Sequence, residues 1–170
     1  MEHFLAHSLD DVNGRERDAL RRWTTWEHRK VQETLIWGVP PDRETRRMIS
    51  LLDSALSRGT LPAEVPLFRY DELARFNVSS FAELKKLEGT VIDCPGFLAT
   101  GVNHGTATQG GDVLVRVVTP PGTKALYLEP ITASPGQGEI LIARGYLMSI
   151  RAVHRGNDGK PLVVVDLVRR

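Results

Sequence analysis

Residues 127–145 read YLEPITASPGQGEILIARG. An apolar run that starts at Ala125 leads into this stretch, Pro, Ser and Gly then build a loop, and a second apolar run leaves it at Ile140. Short apolar runs separated by Gly and Pro clusters predict strands joined by turns. Gln137 and Glu139 stand at the entrance to the second run, at i and i+2. Successive side chains of a strand point to opposite faces, so this spacing predicts an amide and a carboxylate on one side, at the mouth of a loop able to touch a second molecule.

Further runs of the same kind lie at 65–70, 97–100, 113–118, 124–128, 139–150 and 162–168, and Asn157, Asp158 and Gly159 form a turn predicted to fold the last two together. The first third of the chain has another period. Residues 15–37 contain neither Pro nor Gly, and Leu20, Trp23, Val31 and Leu35 form a loose helical stripe that Gly38 and Pro40-Pro41 stop. Asp42 is placed to cap a second helix, in which Met48, Leu51, Leu52, Ala55 and Leu56 follow the i, i+3, i+4, i+7, i+8 pattern, with Gly59 just past its end. Ser80 and Glu83 fit a capping box for a third helix ending at Gly89. Helices first and strands afterwards predict an α+β class.

The chain of 170 residues with 41% hydrophobic content suits one compact domain, with a helical part at 1–60 and a strand-rich part at 61–170. A net charge of +1 with interspersed signs gives no footprint for nucleic acid or an anionic membrane. The N-terminus MEHFLAHSLDD has no positive start and no apolar h-region, and no run approaches the ~20 apolar residues of a membrane span, so synthesis in the cytoplasm without a signal peptide is expected. Cys94 is the sole cysteine and reads as a buried or idle thiol; His104 and His154 lack metal-ligand spacing, and no metal is expected. Gly110-Gly111 lacks the Lys-Ser/Thr of a phosphate loop, and Trp23, Trp26 and Trp37 read as packing residues.

In order, the helices carry TTWEHRKVQETLIWG and ISLLDSALSRGTLPAEVPLFRY, and the strands carry CPGFLATGVN, VVTPPGTKALYLEP and SPGQGEILIARGYLMSI. This ordered set, from about Glu16 to the C-terminus, resembles the ADP-ribosylating exoenzymes, toxin-like mono-ADP-ribosyltransferases of the arginine–serine–glutamate type. The resemblance implies N-terminal helices packed on a mixed, mainly antiparallel β-sandwich, and NAD as co-substrate, its nicotinamide released as ADP-ribose passes to a macromolecule. Bond breakage there has an oxocarbenium-like transition state, which calls for a carboxylate near the sugar. By resemblance Glu139 is that carboxylate, and Gln137 orients the acceptor, as in the Gln-x-Glu subclass that modifies asparagine in small GTPases or guanine in nucleic acid. Arg69 matches the strand arginine that grips the phosphates, and Thr25 a cofactor-contacting position.

Four positions depart from the pattern. By resemblance Tyr70, Gln32, Ala99 and Thr100 hold cofactor-binding positions, but Ala99, Thr100 and Gly101 stand at the serine–threonine–serine motif, Tyr70 replaces the glycine after the arginine, Gln32 an asparagine, and Ile36 an arginine that clamps phosphate. These departures keep two further readings open, a degenerate fold that binds a partner or nucleotide without turnover, and an NAD glycohydrolase. The resemblance also implies a bacterial or phage-borne effector delivered to a target cell, and it admits a cognate immunity protein.

Overall fold

A computed structural model describes residues 1–105 and 111–170, so Gly110 of the Gly110-Gly111 pair lies outside the described residues. A short helix unmarked by any sequence signal, α1 (Glu2–His7), buries Phe4. The stripe at 15–37 then forms two helices instead of one, α2 (Gly14–Trp23) and α3 (His28–Trp37). The break has a local cause: the Thr24 and Thr25 hydroxyls donate to the carbonyls of Arg21 and Arg22, offering the backbone an alternative to its helical bonds. Helix α2 starts on a capping box, Asn13 and Glu16 each accepting the other's backbone N–H. Helix α3 ends as predicted, on Gly38 at φ 70°.

Helix α4 (Arg43–Leu56) is capped by Asp42, whose carboxylate accepts the Thr45 N–H. Gly59 does not serve as its left-handed cap. A Cβ on Gly59 would lie 2.1 Å from the Ala125 carbonyl oxygen, so this glycine lets the end of the helical layer touch a strand backbone. Helix α5 (Phe81–Lys85) has half of the predicted box: Ser80 accepts the Glu83 N–H, but the Glu83 carboxylate accepts from the Ser79 N–H and hydroxyl.

The described strands are β1 (Val65–Asp71), β2 (Val91–Cys94), β3 (Leu98–Gly101), β4 (Val113–Thr119), β5 (Ala125–Tyr127), β6 (Glu139–Ile142), β7 (Tyr146–Arg155) and β8 (Pro161–Arg169). Their order is β2-β7-β8-β4-β1-β3-β6-β5, and only β4 with β8 is parallel. The run 139–150 is two strands, because Gly145 at φ 96° turns the chain from β6 to β7. β7 and β8 form the predicted hairpin. β2 is only four residues long and carries the exposed Asp93 between half-buried Ile92 and buried Cys94, which is why no apolar run marks it.

The sheet folds over at the junction of β1 and β3, which meet at the pair Phe68 and Gly101. Leu67, Val115, Val117, Ile150, Val163 and Val165 from one half then share a buried cluster with Leu98, Ala125, Ile140 and Ile142 from the other. Strands β3, β5 and β6 are covered on their second face by helices, where Phe97, Ala99, Leu126, Leu128 and Leu141 pack with Leu20, Trp23, Val31, Leu52 and Leu56. A layer buried on both faces explains the continuous apolar runs there. Parity decides the rest: Ile140 and Ile142 face the sheet cluster, so Glu139 and Leu141 face the helices.

Candidate active site

Glu139 opens β6 on its helix-facing side, opposite Gly101, which has no side chain to crowd it. The carboxylate is buried, and Oε1 accepts a hydrogen bond of 2.9 Å from Nε1 of Trp23, the last residue of α2. Burial pushes its pKa up to about 7; the Trp23 hydrogen bond and the Arg69 charge oppose the rise, and the Glu129 charge adds to it. Trp23 stands edge-on to Phe97 and beside His28, both at 5.7 Å between ring centroids.

Gln137 reaches the same place by another route than strand alternation. It lies before β6, and Gly138 between it and Glu139 has φ 58°, a conformation outside the strand. The loop is held by Glu129, whose two carboxylate oxygens accept the N–H groups of Gly136 and Gly138, and by the Thr24 hydroxyl, which accepts the Ala133 N–H. The helix break and the β5–β6 loop are thereby fastened to each other. Gln137 and Glu139 line a cavity of about 290 Å³ with Thr25, Ala99, Trp23, Trp26, His28 and Ser134.

A second cavity, of about 280 Å³, shares Trp23, His28 and Ala99 with the first, so the two are adjoining lobes of one cleft. It is lined by Arg29, Gln32, Glu33, Ile36 and Trp37 from α3, Arg69 from β1 and Arg75 from the 3₁₀ turn Leu73–Phe76. Arg69 already has partners. Its Nε and Nη2 donate to the two oxygens of Asp71 at 2.8 and 2.9 Å, and its Nη1 donates to the Ala99 carbonyl at 2.9 Å, with both side chains buried. The alternation that places Arg69 and Asp71 together points Tyr70 to the opposite face, away from both lobes. Thr100 likewise faces away from Ala99, and its hydroxyl donates to the Ile140 carbonyl at 2.6 Å.

Arg75 has a contact of 4.0 Å to the Cys94 sulfur, and Arg29 has no carboxylate partner, among the described residues. Gln32 donates Nε2 to the Phe97 carbonyl at 2.8 Å, while its buried Oε1 has no partner among the described residues. Trp26 and Trp37 are 63% and 74% exposed, so only Trp23 of the three tryptophans packs as the sequence predicts. Cys94 is buried, which raises its thiol pKa. Sequence reasoning missed Glu129, Arg29 and Arg75 and saw Trp23 only as a packing residue, because its bond to Glu139 joins residues distant along the chain.

The sequence model of the ADP-ribosyltransferase exoenzyme family matches residues 5–169. The chain is 28% identical to the epidermal cell differentiation inhibitor of Staphylococcus aureus, over 75% of this chain and 62% of that protein. It is 25% identical to a mono-ADP-ribosyltransferase C3 of Hathewaya limosa, over 78% of this chain and 59% of that protein. The chain thus spans about six-tenths of the length of these curated relatives. In fold it resembles the crystal structure of C3stau2 from S. aureus with NAD, with a TM-score of 0.83 and 18% identity over 99% of this chain and 92% of that one.

Proposed function

Since this chain belongs to the ADP-ribosyltransferase exoenzyme family, we propose that it is an NAD-dependent mono-ADP-ribosyltransferase acting on a macromolecule, as a bacterial or phage toxin or effector. The observation that carries this reading is the buried Glu139 carboxylate in one lobe of a cleft whose adjoining lobe is lined by arginines. The cleft fits NAD: Arg29 and Arg75 line it and have no carboxylate partner among the described residues. A dinucleotide carries two phosphates and a set of hydroxyl and amide donors, and a staphylococcal relative in fold was crystallised with NAD. NAD supplies the scissile bond between nicotinamide and ribose.

The residues divide the work. Glu139, ionised above about pH 7, presents negative charge where the sugar becomes positive. Arg29 and Arg75 hold the phosphates, and Arg69, although paired with Asp71, still places positive charge near Glu139. Gln137 sits at the lip, and a primary amide pairs reciprocally with another, one donor and one acceptor each, which favours an amide side chain of a protein as acceptor. A second reading, a binding module without turnover, draws on Ala99 and Ile36 in the cleft and on the pairing of Arg69 with Asp71.

The test is incubation with NAD labelled on the adenylate, with and without cell lysate. The transferase reading expects nicotinamide release together with label on macromolecules that protease digestion removes. Release without labelling selects a glycohydrolase, and neither selects the binding module.

A further inference from the structure

We propose that Trp23 is the positioning residue of Glu139, an indole N–H that aims the carboxylate. The proposal rests on the transferase reading for its kinetic consequence and on geometry for its substance. The Trp23–Glu139 bond, 2.9 Å long, joins residues 116 apart in sequence across the interface of the helical layer and the folded sheet. Among the described residues no other side chain is hydrogen-bonded to this carboxylate. Ala99 pairs with Leu141, which makes it the diagonal neighbour of Glu139 on the same face, and it offers only a methyl group.

Two consequences follow from indole chemistry. First, a bond to Oε1 anchors that oxygen and leaves Oε2 for a substrate. The ring cannot swing to release it, since Phe97 and His28 hold it on two sides. Secondly, indole nitrogen is a donor only. It bonds a charged carboxylate more strongly than a neutral carboxylic acid, so it works against burial. The other charges acting on Glu139 are Arg69 from β1, which also favours ionisation, and Glu129 from the loop before β6, which opposes it; His28 from α3 lines the same lobe. Removal of the N–H therefore both loosens the carboxylate and raises the pH at which it becomes charged.

The experiment replaces Trp23 with Phe and records the pH profile of kcat/KM for nicotinamide release, which reports the ligand-free enzyme, together with the rate at saturating NAD. The acid limb, near pH 7 in the unaltered chain, moves up by about one unit, and the plateau rate falls about 10–100-fold. KM for NAD changes little, because the indole holds the carboxylate and not the phosphates. Adding Ala99→Ser to Trp23→Phe restores part of the rate, since the new hydroxyl lies on the diagonal neighbour. If Trp23→Phe melts, incorporation of β-(3-benzothienyl)alanine at position 23 preserves the ring shape and removes only the N–H. A readout independent of turnover is the carboxyl carbon shift of labelled Glu139, which titrates near pH 7 and higher in either variant. An unchanged titration, or an unchanged profile and plateau, overturns the proposal. Absence of nicotinamide release from the unaltered chain sinks the transferase reading instead and leaves the titration to decide the role of Trp23.

Discussion

Arg69 shows how a residue's role follows from its partners. Its guanidinium is buried against Asp71 in a two-pronged ion pair, and removal of one member of a buried pair leaves the other as an uncompensated charge, at about 3–5 kcal/mol. Arg69→Ala is therefore expected to lower the free energy of unfolding by that order, read as a shifted urea midpoint. Arg75→Ala, near the cleft surface with only a long contact to Cys94 among the described residues, should leave stability within about 0.5 kcal/mol. Calorimetry should instead show about tenfold weaker NAD binding for Arg75→Ala. An Arg69→Ala chain as stable as the unaltered one would contradict this division. The resemblance assigns Arg69 to the phosphates, but Asp71 at i+2 takes its guanidinium in the folded chain. The resemblance puts Tyr70 and Thr100 among the cofactor-binding positions, but strand alternation turns both away from the cleft.

At the scale of elements, the site depends on where helices and strands stop. The break at 24–27 brings Thr24 to the loop that carries Gln137, and Gly145 sends β7 away from β6. Both breaks lie inside runs whose composition continues across them, which is why periodicity predicted longer elements. Caps were plainer: Asp42 and Gly38 act as their residue types require. Gly59 was visible as a stop signal, but its close approach to Ala125 is a tertiary fact. Gly59→Ala should force the α4 end from β5, costing about 1–3 kcal/mol and lowering the melting temperature by about 2–10 °C. A melting temperature equal to that of the unaltered chain would show that the helical layer does not rest on that contact.

At the scale of the whole molecule, the folded sheet and the helical layer enclose a carboxylate that the fold does not stabilise. Glu139 ordinarily ionises near 4.5 and here near 7. For an acid with a raised folded value the sign runs against stability: below about pH 4.5 both states carry the proton and there is no penalty. Between about 4.5 and 7 the unfolded chain ionises first and stability falls, and above about 7 the penalty is complete, at most about 3 kcal/mol. Glu139→Gln keeps an oxygen to accept from Trp23 and removes the charge, so it should melt higher than the unaltered chain at pH 8.5 and at the same temperature at pH 4. A group retained at such a penalty is a group with work to do. The most direct measurement is nicotinamide release at saturating NAD and pH 8.5 in the unaltered chain and in Glu139→Gln. The account predicts a rate at least about 10²–10³-fold lower in the variant, with NAD affinity little changed; equal rates in the two proteins would contradict it.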